Sequence, residues 1–391
     1  MVRLLLVSAF VITMVSVAFA GESPKKLPDP LKPGPFPVGV TTTVFVDSSR
    51  TDNFTKEPRT LVTEIWYPAA DSAKGKPKNK WLDFVPGGAT DEIAALIKRT
   101  RNLTPADMDR LLTNDAVRDA PVRNGRWPVI VFSHGNGGTR HQNTFWCDYV
   151  ASHGYIIVSA DHTGNASMTI INGKLIPYQT SERQNSAKDR PKDMSFLLDK
   201  MIEWDIGAKQ RSVGKGGDKR FAGKLDTDHA CASGMSFGSF TAIRVADDDQ
   251  RFKAIVAMSG AGEAQKNLTV PVLRMLGTED TTLGERGNTA IREHHARHEG
   301  PSFLLELPNG GHYSFTDMFK INPNHGDGVG KGKRRATGDE FEFTSMATTY
   351  QIINATSVAF LGCYLKGQKE YLPFLRENHW GNEQVWEAKG S

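Results

Sequence analysis

The sequence predicts an α/β protein built on a doubly wound, mostly parallel sheet with an inserted helical segment. The first observation is a series of short apolar runs at Val129 to Phe132, Tyr155 to Ala160, His229 to Ala232, Ala254 to Met258, Val272 to Leu276 and Phe303 to Leu307. Each is bounded by turn residues, and each gap leaves enough chain for a crossover helix, as parallel strands require. The second is that the runs are nearly continuous rather than alternating, which marks strands covered on both faces. Right-handed crossovers then wind helices onto both sides of the sheet. The third is composition: 391 residues, 39% hydrophobic and 24% charged, supply one large core and show none of the bias of a disordered or fibrous chain. The formal charge of +4 is small, with Lys and Arg interspersed among Asp and Glu, so nucleic acid is not an expected partner.

In chain order, Met1-Val-Arg3, the apolar and small residues from Leu4 to Phe19, and Ala18-Phe19-Ala20 form the charged start, apolar core and A-x-A site of a secretory leader. Cleavage is expected after Ala20, giving residues 1–20 as signal peptide and a secreted protein, periplasmic or extracellular. No Cys follows the apolar run, which argues against a lipid anchor. Residues 21–37 carry Pro24, Pro28, Pro30, Pro33, Pro35 and Pro37 and read as a linker or wrapped arm. Residues 38–391 are expected to form one domain. Within it, Thr41 to Val46 and Arg59 to Trp66 have strand character and suit an antiparallel pair at the sheet edge. Asp71 to Arg126 reads as an insertion over one end of the sheet, with helices at Asp91 to Ile97 and Ala106 to Leu112, the second capped by Thr104. Three Cys are present. Export permits disulfides, so Cys147 and Cys363 could pair, whereas Cys231 reads as a small buried residue of a central strand.

The sharpest chemical signal is Gly234-Met235-Ser236-Phe237-Gly238, a G-x-S-x-G sequence between an apolar strand and the helical stretch from Phe240 to Val245. A strained strand-to-helix turn there would lift the Ser236 hydroxyl above the sheet as a nucleophile. A serine hydroxyl needs a base, and His312 in Pro308-Asn-Gly-Gly-His312 follows the last apolar strand, where a general base belongs. The acid that orients it should end the intervening strand, Val272 to Leu276. Asp280 is the first choice there and Glu279 the fallback. A tetrahedral oxyanion needs two N–H donors, expected from Phe237 and from Asn136 in the glycine-rich loop after Phe132. His134 in the same loop reads as a brace.

Two further signals are weaker. His294 and His298 stand four apart on one helical face, a metal-ligand spacing, but Arg292, Glu293, Arg297 and Glu299 around them suggest a solvated helix. No metal or other cofactor is expected. Gly326 to Arg335, with Lys331, Lys333, Arg334 and Arg335, reads as a mobile basic surface loop bordering the site mouth, able to attract anionic head groups.

Taken together, Ile65-Trp66-Tyr67-Pro68, Pro128 to Gly135, Ala151 to Tyr155, Arg190-Pro191-Lys-Asp193 opening a helix, the Ser236 pentapeptide, Gly-Gly-His312 and Ser357 to Leu361 resemble the secreted platelet-activating factor acetylhydrolases and related dienelactone-hydrolase-like and cutinase-like esterases. The resemblance runs from about Val38 to Leu365 and implies an α/β-hydrolase fold. It maps the catalytic residues onto Ser236, Asp280 and His312 and the oxyanion amides onto Asn136 and Phe237. Met235 and Asn136 depart from the pattern of many relatives. The implied activity is hydrolysis of short-acyl esters, small-molecule or lipid, with peripheral contact with a lipid surface open. Polyester hydrolysis, amide cleavage and a non-catalytic binding role are the competing readings.

Overall fold

The computed structural model describes residues 27–207, 217–262, 264 and 268–390. The leader expected over 1–20 lies outside the described residues. β1 (Val38–Thr51) and β2 (Pro58–Pro68) form the expected antiparallel pair. Along β1, Phe45 and Asp47 point inward and Val44 and Val46 outward, the period of two of a half-covered strand. Residues 71–126, expected as an insertion, supply α1 (Asp91–Arg101), α2 (Pro105–Leu111) and the two-residue β3 (Val117–Arg118). Thr104 caps α2 as expected: its Oγ1 accepts from Asp107 N at 3.1 Å, and the Asp107 carboxylate accepts from Thr104 N at 3.0 Å.

The alternating pattern then unfolds as β4 (Trp127–Ser133), α3 (Thr144–Ser152), β5 (Ile156–Ala160), a small hairpin of β6 (Met168–Ile171) and β7 (Lys174–Pro177), and α4 (Arg183–Gly207). It continues with β8 (Leu225–Met235), α5 (Phe237–Asp248), β9 (Phe252–Met258), β10 (Val272–Gly277), α6 (Gly284–Arg297) and β11 (Ser302–Leu307). The chain closes with α7 (Met318–Ile321), a second small hairpin of β12 (Lys331–Lys333) and β13 (Glu340–Glu342), α8 (Met346–Leu365) and β14 (Val385–Lys389).

The large sheet has the order β14-β11-β10-β9-β8-β4-β5-β2-β1-β3. From β5 across to β11 every neighbouring pair is parallel. Strand alternation splits the core in two. Ile130, Phe132, Cys231 and Val256 pack on the face that carries Trp146 of α3 and Phe360 of α8. Val129, Val131, Ala232 and Ile255 pack on the other, with Leu197 of α4 and Ile243 of α5. β5 lies on one side of β4 and β8 on the other, so the strand order reverses between β4 and β8, and the crevice outside their carboxyl ends is where such sheets place their ligands.

The described part of the proline-rich segment is a wrapped arm. Gly34 N donates to Ser152 Oγ, Phe36 N to Ser152 O, Tyr149 Oη to Pro30 O and Tyr371 Oη to Pro28 O. Arg190-Pro191 does not open a helix, contrary to expectation: α4 begins at Arg183 and carries Pro191 inside it. Pro191 has no N–H, so the helix loses one backbone bond there. Among the described residues no helix is long and apolar enough to cross a membrane.

Cys147, Cys231 and Cys363 are all buried free thiols, so the Cys147–Cys363 pairing does not occur. Thiol titration of the native protein should therefore find none reactive, and titration after denaturation should find three. A denatured count of one would reveal a disulfide.

Candidate active site

Ser236 follows β8 and caps α5 at φ 57° and ψ −118°, a conformation costing a non-glycine residue about 1–3 kcal/mol. Its neighbours hold it there. Ser236 N donates to Met258 O at 2.8 Å, and Ser239 Oγ lies 2.8 Å from Gly234 O and 2.7 Å from Met258 O. A Cβ at Gly234 would collide with the Gly238 backbone, and one at Gly238 with the Ser133 carbonyl, so the turn closes only with glycine at both positions.

His312 stands in the turn after β11 with Nε2 2.9 Å from Ser236 Oγ and Nδ1 2.8 Å from Asp280 Oδ2. Asp280 is fully buried after β10, and its Oδ1 accepts from Leu283 N at 2.7 Å. A carboxylate facing Nδ1 keeps the proton on that nitrogen and leaves Nε2 free to accept from the serine hydroxyl. Glu279 points away, toward Arg334 and Arg335 N. The structure thus joins Ser236, His312 and Asp280 and leaves the fallback carboxylate outside.

Three further residues support the site in roles that the sequence did not suggest. Ser259, after β9 at φ 45°, donates from Oγ to Asp280 Oδ2 at 2.6 Å and lies 3.2 Å from His312 Nδ1. Asp327 accepts from His312 N at 2.9 Å, Thr281 N at 2.9 Å and Thr282 N at 3.0 Å, tying the histidine turn to the Asp280 turn. Burial works to raise the Asp327 carboxyl, but these amide bonds outweigh it and hold its pKa below the usual 3.8. Arg335 donates to Asp280 O and Thr278 O. The stretch from Gly326 to Arg335 is therefore not the mobile loop expected: it includes β12 and clamps the turn that carries Asp280.

The loop after β4 rests on a buried polar network. His134 Nδ1 donates to Gly135 O at 2.7 Å and its Nε2 accepts from His162 N at 3.1 Å, the bracing role expected of it. His162 joins Ser133 Oγ to Asp193, and Asp193 pairs with Arg59. Burial holds His162 down to about 4, so it stays neutral. Arg190 donates to His134 O at 2.6 Å and lies over the Phe237 ring at 4.6 Å, joining this loop to the residue after Ser236. Asn136 Nδ2 donates to Tyr178 Oη at 3.0 Å, while its Oδ1 accepts from Asn165. Among the described residues, the backbone amides of Asn136 and Phe237 donate to nothing.

Ser236 and His312 open into a cavity of about 480 Å³, within the range of small-molecule sites. Trp81, Leu96, Met108 and Leu112 from residues 71–126 roof it, Tyr178 closes one side, and Met235, Asn136, Met318 and Ile321 complete the wall. The two helical histidines lie elsewhere: His298 Nε2 contacts Val270 O, and among the described residues no cluster of three metal-ligating side chains exists.

A seryl hydroxyl on a strained strand-to-helix turn at the sheet's switch point, facing a histidine and a buried aspartate from later strand ends, defines an α/β-hydrolase fold. The chain belongs to the family described as platelet-activating factor acetylhydrolase, isoform II, which it matches over residues 20–374. It is 28% identical over 164 residues to the platelet-activating factor acetylhydrolase of Cavia porcellus, covering 36% of each chain. It is 30% identical over 150 residues to a putative phospholipase A2 of Schizosaccharomyces pombe, covering 34% of this chain and 32% of that one. These alignments span about a third of the relatives' own length. A solved ferulic acid esterase from Streptomyces cinnamoneus superposes with a TM-score of 0.68 at 21% identity, covering 90% of this chain and 96% of that one.

Because Asp327 is depressed below its unfolded value, its stabilisation is present above pH 3.8 and is lost as pH falls through the folded value. Asp327→Asn should lower the melting temperature at neutral pH, and the gap from wild type should close below pH 3.8. A gap that persists unchanged into acid would show that the carboxylate charge is not what holds the turn.

Proposed function

We propose that this chain is an exported carboxylic ester hydrolase working through an acyl-enzyme on Ser236. The observation that carries the reading is the unbroken relay from Ser236 Oγ through His312 to Asp280, at 2.9 and 2.8 Å. Ser236 Oγ attacks the ester carbonyl carbon as His312 Nε2 takes its proton, and Asp280 stabilises the resulting imidazolium. The uncommitted amides of Phe237 and Asn136 receive the developing oxyanion. His312 then gives its proton to the departing alkoxide, leaving the acyl group on Ser236. A water deprotonated by His312 attacks that ester, and collapse returns Ser236 with its proton and releases the acid. Ser259 acts as a positioning residue, fixing the Asp280 carboxylate that faces the imidazole. Asn165 and Tyr178 orient the Asn136 side chain and so support the oxyanion loop.

Family membership supports ester cleavage, and a bounded cavity roofed by α1 and α2 favours small or lipid esters with short acyl chains over a polymer strand. Export is supported by the composition of residues 1–20, and the family match begins at residue 20, where the leader would end.

On p-nitrophenyl acetate, butyrate and octanoate, the wild type should favour the shorter chains, and Ser236→Ala should lose turnover by on the order of 10⁴-fold or more. Asp280→Asn should cost about 10³–10⁴-fold in kcat while Glu279→Gln stays near wild type. Equal losses in the two carboxylate variants would overturn the assignment of the acid. Mass measurement of the protein recovered from an expressing cell's exported fraction should give a chain starting at Gly21. An exported chain still carrying Met1 would refute cleavage.

A further inference from the structure

The last turn of α1 carries Lys98, Arg99 and Arg101. Basic residues there complement the helix dipole, a role that needs only nearness to the terminal carbonyls. Arg101 does something else: it is half-buried and lines the same cavity as Ser236 and His312, with Arg99 on the exposed side of that wall. Among the described residues neither guanidinium makes a hydrogen bond or ion pair. Elsewhere in the fold, Arg59, Arg118 and Arg140 are paired with the buried carboxylates Asp193, Glu64 and Asp161.

The groups electrostatically coupled to Arg101 are a phenol and two imidazoles, Tyr313, His141 and His325. Burial first, then Arg140 and Arg101, hold His141 below the usual imidazole range, and burial holds His325 there against the opposing pull of Asp327, with Arg101 adding to it, so both stay neutral. Among the described residues one carboxylate lines the cavity, Asp317, and it is taken by Lys320 at 2.7 Å and by Phe145 N at 3.3 Å. The cavity therefore holds a partly desolvated guanidinium without a counter-charge of its own. A cation withdrawn from water in this way regains its lost interaction when an anion enters.

We propose that Arg101, with Arg99 beside it, forms an anion-binding subsite that selects esters carrying a carboxylate or phosphate on the acyl or alcohol part. The proposal rests on the ester-hydrolase reading of Ser236. An anionic group seated on the guanidinium would anchor one end of the substrate while its carbonyl lies over Ser236, so the subsite adds to kcat/KM through binding of the remote group. Arginine suits the task because its planar fork matches carboxylate and phosphate oxygens two at a time.

The test compares charged and neutral esters of like shape: mono-4-nitrophenyl adipate against 4-nitrophenyl hexanoate for the acyl side, and 4-acetoxybenzoate against its methyl ester for the alcohol side. A third pair, 4-acetoxyphenyl phosphate against phenyl acetate, distinguishes phosphate from carboxylate. The wild type should favour the anionic member of at least one pair by about ten- to hundredfold in kcat/KM, the worth of one charge-assisted bond. Arg101→Gln should bring that ratio close to one, and Arg101→Lys, which keeps the charge but not the fork, should retain part of it. No preference in any pair, or a preference that survives in Arg101→Gln, overturns the subsite. The wild-type ratios alone can do so, whatever the substitution does to folding. Failure to hydrolyse any ester, charged or neutral, would instead bring down the reading of Ser236, and the subsite with it.

Discussion

Ser236 sits at φ 57° and ψ −118°, a backbone state that a serine does not adopt unless its surroundings impose it. The rest of the site depends on that turn. Gly234 and Gly238 let β8, α5 and the end of β4 approach one another without side chains between them. The same close approach sets the loop after β4, with Asn136, beside the first turn of α5, with Phe237. Strand order does the remainder. Because the strand order reverses between β4 and β8, the turn lies at the mouth of a crevice, and the loops after β9, β10 and β11 converge on it with Ser259, Asp280 and His312.

Much of this was legible in the sequence, for reasons that can be named. A strand buried on both faces must be apolar along its length, so β4, β5, β9, β10 and β11 stood out as runs. β8 starts at Leu225, earlier than its apolar run, because Asp228 and His229 are exposed on the part of the strand away from the site. β14 gave no such sign, being an edge strand that is largely exposed. The serine elbow could be read because its glycines and their flanking strand and helix are local features. Asp280 and Glu279 could not be separated, since adjacent carboxylates in one turn differ only in which way the chain faces them. Ser259, and Asp327 with Arg335 from a later stretch, meet the site only through tertiary contacts. The stretch from Gly326 to Arg335 looked like a solvated basic loop because nothing local shows that Asp327 would accept three amides or that Arg335 would seek backbone carbonyls.

Residues 71–126 close the site on the side opposite the sheet. Thr90 and Thr104 cap α1 and α2, which fixes two short helices over the open end of the crevice. Their apolar side chains, Leu96 and Met108 among them, line the same cavity as Ser236, and the last turn of α1 brings arginine to it. The relay of Ser236, His312 and Asp280 thus rests on the ends of the sheet strands, and the wall of the cavity opposite it on two short capped helices.

The most direct test of the central claim, that the strained serine is activated by His312, is labelling with a fluorophosphonate followed by peptide mass analysis. The account predicts one adduct per chain, on Ser236, and slow or absent labelling in His312→Ala. Labelling of another serine, or equal rates with and without His312, would contradict it.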